Sequence, residues 1–111
     1  MTGQKLDRLF QALADPTRRA VLARLSAGPE KASVLAEPFD MALPSFMEHL
    51  KKLEEGGLIE TTKRGRTRYC ALKPGALNPV RDWMEEQRDL WEARLDNLED
   101  YLETLLKEEK R

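Results

Sequence analysis

The tightest constraint on this chain lies in residues 42–72, where a proline and two glycines bracket an amphipathic helix and another glycine divides two strand-like runs. Pro44 suits the first turn of a helix, because the N–H it lacks has no intrahelical partner there. Gly56-Gly57 suits the end, because glycine turns left-handed without a Cβ clash. Between these marks Phe46, Leu50 and Leu53 recur at spacings of four and three and share one face. Ser45, Glu48, Lys51 and Lys52 fall on the opposite side. The run LIETTK then begins by alternating apolar and polar, RGR supplies a glycine turn, and TRYCAL reads as a returning strand. The stretch therefore predicts a helix, a tight turn and a hairpin with a cationic tip.

The preceding residues predict three more helices' worth of punctuation. Leu6, Leu9, Phe10 and Leu13 recur at helical spacing over residues 4–14. Asp15 is a good N-cap and Pro16 a good first helical residue, so a second helix starts there. Its buried face is Val21, Leu22 and Leu25, and Gly28-Pro29 ends it. Arg18, Arg19 and Arg24 lie on or near the other face, as a solvated side or, for Arg18 and Arg19, as phosphate contacts. Ser33 caps a short third helix through Val34, Leu35 and Ala36, which Pro38 stops. Phe39 and Met41 pack beneath the following turn. Two short helices, the second more polar, followed by a cationic hairpin make a winged helix-turn-helix, mainly α with a two-stranded β-wing. In that layout the helix enters a major groove and the hairpin lies along the phosphates.

Residues 1–78 form this body, and residues 79–111 extend the same domain as a long helix running from Pro79 to about Lys107, roughly 40 Å. Within it Trp91, Leu95, Leu98, Leu102 and Leu105 alternate steps of four and three, the seam of a two-helix or few-helix contact. Val80, Trp83, Gln87 and Leu90 form an adjacent stripe. Two stripes need two covering surfaces. One is the body; the other is either a twin subunit or the same chain's N-terminal helix, and the helix is long for a small body to cover alone.

Formal net charge is −1, which excludes a protein that coats nucleic acid through bulk charge. Its distribution is uneven: residues 1–42 carry +1, residues 43–78 carry +3 and residues 79–111 carry −5. Positive charge thus gathers where the reading helix and hairpin lie. The single cysteine, Cys70, allows no internal disulfide and no thiolate cluster. It fits a reducing cytosol, as a core thiol or, if exposed beside cations, as a redox sensor. No apolar run approaches the roughly 20 residues of a membrane span, and no signal-peptide core is present. The expectation is a cytoplasmic protein with no cofactor and no membrane partner.

On the reading helix, Ser45, Met47, Glu48 and Lys51 or Lys52 form the groove-facing set. Glu48 can accept from a cytosine amino group, Met47 can touch a thymine methyl, and the lysines can reach phosphate or guanine. The alternatives are a Glu48–Lys52 surface pair and a core position for Met47. In the hairpin Arg64, Arg66, Thr67 and Arg68 surround the tip and face the DNA backbone, with Arg68 extending the stripe along the strand. Trp83 and Trp91 serve packing or, if a small apolar effector binds, line its pocket.

Three runs resemble the ArsR family, the arsenic-repressor-like winged-helix regulators: LFQALADPTRRAVLARL, LAEPFDMALPSFMEHLKKLEEGGLIE and KRGRTRYCAL. The resemblance covers about residues 4–73, and its most specific pieces are ADPTRRAVL and the H-L-K-x-L-E-x-x-G-L-I run from His49 to Ile59. It implies a homodimer built through the N- and C-terminal helices, which adds Leu6, Leu9 and Phe10 to the Trp91, Leu95, Leu98, Leu102 and Leu105 seam. It also implies repression by promoter occlusion, relieved by a small-molecule or redox effector. His49 matches a family histidine that reaches phosphate or makes a structural hydrogen bond. Metal-sensing members carry a cysteine pair in the third helix, where this chain has SVLAEPF, or Asp/His/Glu groups on the last helix. With one histidine and one cysteine in unrelated elements, no metal site is expected. Met47 and Glu48 stand where small polar or basic residues are more usual, and Ala42 replaces the usual serine cap.

Two other function classes compete with a DNA-binding repressor. A winged-helix module that binds another protein without reading DNA would account for the near-neutral charge and the unusual Met47 and Glu48. An enzyme is disfavoured, since there is no nucleophile–base pair, second histidine or phosphate-cradling glycine loop.

Overall fold

The computed structural model describes residues 2–109; Met1, Lys110 and Arg111, at the ends of the two segments read from the sequence, lie outside the described residues. The chain divides into two compact units after Val80. In the first, α1 (Thr2–Leu13) turns at once into α2 (Pro16–Leu25). Asp15 sits at the junction in extended conformation, and its Oδ1 accepts from the backbone N–H of Thr17 at 2.8 Å and of Arg18 at 3.2 Å. Two of the helix's orphan donors are thereby satisfied. Burial pushes the Asp15 carboxyl up, but the backbone hydrogen bonds from Arg18 and Thr17, with the nearby His49 ring and Arg18 guanidinium, outweigh it and hold it below the ordinary value.

A depressed carboxylate stabilises the fold above its unfolded-state value and loses that contribution as pH falls through the folded one. Asp15→Ala is therefore expected to remove about 1 kcal/mol near neutral pH. The deficit against wild type should shrink as pH drops below about 4. Urea unfolding of both proteins across that range checks it, and a deficit that grew on acidification would contradict the sign.

After Gly28-Pro29 comes β1 (Glu30–Lys31), a strand that sequence reading does not anticipate, and then α3 (Ala32–Ala36). Ser33 is not its cap: the N-cap position is Lys31, with no side-chain cap bond, and Ser33 is the helix's second residue. Burying Ala32 moves the helix start upstream of the serine. Phe39 follows Pro38 and stacks on Phe46, ring centroids 5.5 Å apart, so it lies under the turn as expected.

The helix expected to read DNA is α4 (Leu43–Glu55), with Pro44 in its first turn. Its end is a Schellman closure: Leu58 N–H donates to Leu53 O and Gly57 N–H to Glu54 O, both at 3.0 Å, with Gly57 at φ 77°. Gly56 is needed for another reason, because a Cβ there would meet Ala12 Cβ at 3.0 Å and Arg8 O at 3.3 Å where α1 crosses α4. Phe46, Leu50 and Leu53 face inward onto Leu9, Val21, Leu25 and Leu35 and form the centre of the core.

The hairpin is β2 (Ile59–Arg64) and β3 (Thr67–Leu72), antiparallel, with Arg64 opposite Thr67. Gly65 at φ 64° occupies the first position of the two-residue turn and Arg66 has no positive φ, the pattern of a type II′ turn. β1 adds to the other edge of β3, Glu30 opposite Cys70 and Lys31 opposite Tyr69, so the sheet has three strands in the order β1-β3-β2 rather than two. Cys70 is thus enclosed at the sheet centre, fully buried, and burial pushes its thiol up.

The last helix, α5 (Asn78–Glu109), starts within the first unit, where Val80 packs on the core, and supplies the second. Its 32 residues span about 48 Å. None is buried: Trp91 is 67% exposed, Leu98 51%, and Leu95, Leu102 and Leu105 are also exposed. Of the adjacent stripe, Val80 and Gln87 are half-buried whereas Leu90 is open.

Candidate nucleic-acid interface

With Phe46, Leu50 and Leu53 turned inward, helical geometry puts Glu48, Lys51, Lys52 and Glu55 on the outermost face of α4, and all four are exposed, as is Ser45 in its first turn. Ala42 before the helix is extended and offers no side-chain cap, so backbone donors at that end stay available. Met47 is half-buried and packs against the core from the side nearer the hairpin.

Polar bridges hold both flanks of the helix. On one flank His49 Nδ1 lies 3.2 Å from Arg18 Nη1 and 3.8 Å from Asp15 Oδ1, with the ring only 22% exposed. Of the two roles open to this histidine, the geometry supports the structural hydrogen bond. On the other flank Arg68 Nη1 donates to Thr61 Oγ1 at 3.2 Å, and the Thr61 hydroxyl donates to Glu54 Oε2. This second bridge crosses a cleft between α4 and the hairpin, about 370 Å³, whose walls include Met47, Glu48, Lys51 and Arg68.

Strand register sorts the wing cations. Opposed residues share a face, so Ile59, Thr61 and Lys63 lie with Leu72, Cys70 and Arg68 on the α4 side, while Arg64 lies with Thr67 on the other. The single stripe expected from Arg64 through Arg68 is therefore split between two faces, meeting only at the tip, where Arg66 is exposed. Lys63, opposite Arg68, joins the cationic set; sequence reasoning passes over it because its face is defined only once the turn is placed.

One further expectation is corrected and another is sharpened. Leu9, assigned to a subunit interface, is 1% exposed inside its own core and has no surface to offer, whereas Leu6 is half-buried and Phe10 lies near the surface. Arg18, half-buried, and Arg19, exposed, are expected to project from the outer face of α2, but both guanidiniums turn back onto α1. Arg18 donates from Nε to Ala12 O at 2.8 Å and from Nη2 to Gln11 O at 3.0 Å, and Arg19 Nη1 donates to Leu13 O at 2.7 Å. They satisfy the last carbonyls of α1, where the helix dipole favours a cation. Among the described residues no group of three or more His, Cys, Asp or Glu side chains converges as metal donors, and no helix is long and apolar enough to cross a membrane.

A helix-turn-helix domain model matches residues 13–62. The chain is 33% identical over 79 residues to the transcriptional repressor SdpR of Bacillus subtilis, covering 71% of this chain and 88% of that protein. It is 39% identical over 80 residues to an HTH-type transcriptional regulator of Mycobacterium tuberculosis, covering 72% and 75%. A crystal structure of an ArsR family transcriptional regulator is 57% identical, superposes with a TM-score of 0.79, and covers 81% of this chain and 93% of that one.

The chain belongs to the ArsR family.

In this ArsR-family chain α3 and α4 are the helix-turn-helix and β2–β3 the wing; both helices and the first part of β2 fall inside residues 13–62. The family's metal-sensing thiol pair has no counterpart in this member, whose one cysteine is buried in β3.

Proposed function

We propose that this protein is a cytoplasmic, non-enzymatic transcriptional repressor that binds operator DNA as a homodimer. The observation that carries the reading is the exposed polar face of α4, bridged on both flanks and set beside a cationic hairpin tip. Ser45, Glu48, Lys51 and Lys52 contact the major groove, with Met47 touching it from the wing side. Arg66 and Arg64 contact phosphates, Lys63 and Thr67 lie beside them, and Arg68 acts partly through its tie to Thr61. Likeness to a protein named as a repressor supports the direction of regulation. The uncovered apolar stripe of α5 supports self-association, because a helix of this length does not keep Trp91, Leu95, Leu98, Leu102 and Leu105 in water without cause.

Binding to DNA from upstream of the protein's own gene, measured by gel shift against salt, tests the reading. Arg66→Ala should weaken all sequences alike and reduce the log–log salt slope by about 1. Glu48→Ala should instead alter which sequence is preferred. Indistinguishable effects of the two substitutions would reject the assignment, and capture of a protein partner without any DNA complex would reject the function.

A further inference from the structure

Arg18 engages all three nitrogens of its guanidinium with acceptors on two other helices. Nε and Nη2 hold the carbonyls of Ala12 and Gln11 at the C-terminus of α1, and Nη1 faces His49 Nδ1 on α4 at 3.2 Å. Its own backbone N–H is fixed by the Asp15 carboxylate. Arginine is always a cation and only donates, so Nδ1 must be the acceptor, which places the histidine proton on Nε2. One side chain rooted in α2 thus joins the end of α1 to the flank of the reading helix. The two carbonyls point along the α1 axis, so the position of the guanidinium, and through it of His49, follows the direction of α1.

We infer that Arg18 is a positioning residue for DNA reading: without touching DNA, it fixes the tilt of α4 against α1 through His49. This rests on α4 being the reading helix. The joint needs an arginine. Three donors must leave one planar group in different directions, and a lysine ammonium at the end of its stem has no Nε to hold the α1 carbonyl while reaching His49. Because α1 also lies against α4 at Gly56, tightly enough that a Cβ there would sit 3.0 Å from Ala12 Cβ, the two helices meet at two separated points. A close backbone approach near one end of α4 and the Arg18–His49 bridge nearer its middle define an angle, where either alone would leave a pivot.

The test measures operator and random-sequence DNA binding against salt for wild type, Arg18→Lys, Arg18→Gln, His49→Leu, His49→Gln and the Arg18→Lys/His49→Leu double variant, with thermal melting of each. Arg18→Lys and His49→Leu should each lose about tenfold or more in operator affinity, with the salt slope and random-DNA affinity kept. The double variant should lose no more than either single, since both cut one connection. His49→Gln, whose amide oxygen can accept from Nη1, should recover most of what His49→Leu loses. Wild-type operator affinity in Arg18→Lys, or additive losses in the double variant, would overturn the inference. So would a salt slope lowered by about 1 in Arg18→Gln, the mark of a lost phosphate contact. If Arg18→Lys fails to fold, the His49→Leu and His49→Gln comparison decides alone. If wild type itself binds no operator, the regulator reading fails and takes this inference with it. Operator binding by wild type that Arg18→Lys leaves unchanged removes only the inference.

Discussion

Leu98→Glu is expected to convert the protein to monomers and to reduce operator affinity by about a hundredfold or more. Leu98 is the middle residue of the Trp91, Leu95, Leu98, Leu102, Leu105 seam and is 51% exposed in the single chain. In a two-fold pair the seam meets its own copy, so one substitution places a carboxylate in each subunit at a surface already carrying the negative charge of residues 79–111. Burying either charge without a partner is strongly unfavourable. Loss of the pair removes the second reading helix from the same complex, and the gain from linking two binding modules is about 10²–10⁴. Sedimentation equilibrium at micromolar protein, paired with a gel shift, reads both effects. A variant that stayed dimeric and bound normally would show that the stripe has another occupant.

Phe46→Ala should lower stability by about 3–5 kcal/mol, a large share of the roughly 5–15 kcal/mol available to a domain. Phe46 is fully buried, and it is the ring on which Phe39 stacks beneath the turn. Truncation leaves a cavity under the reading helix that neighbours on several elements cannot close together. The melting temperature should fall by about 10 °C or more, and DNA binding should be lost with the folded fraction. Urea unfolding settles the magnitude; a change below about 1 kcal/mol would mean the site repacks.

How much could be read from residues alone varies with the kind of signal. Asp15-Pro16, Pro44, Gly56-Gly57 and Gly65 act through backbone chemistry that depends on neighbours only, so α2, α4 and the hairpin are legible to within a residue or two. β1 is not, because two residues carry no alternation and its partner Cys70 is 40 positions from Glu30. Leu9 illustrates a second limit: apolar spacing marks a covered face but does not say whether the cover is the same chain or another. Arg18 and Arg19 illustrate a third. A helical wheel records where Cα points, while these side chains curl back to carbonyls on the preceding helix. The split of Arg64 from Arg68 arises likewise from pairing register, which no count along one strand contains.

The two-residue turn at Gly65-Arg66 leaves the hairpin no slack. Six cross-strand pairs fix its backbone, and β1 occupies the other edge of β3 at Tyr69 and Cys70. In the proposed complex, docking the wing would freeze little besides the rotamers of the arginines at its tip, and the entropic penalty of association would stay small on that side of the molecule. The freedom still to be lost belongs to side chains rather than to main chain, so affinity at the wing can be tuned one cation at a time without reshaping the loop that carries it.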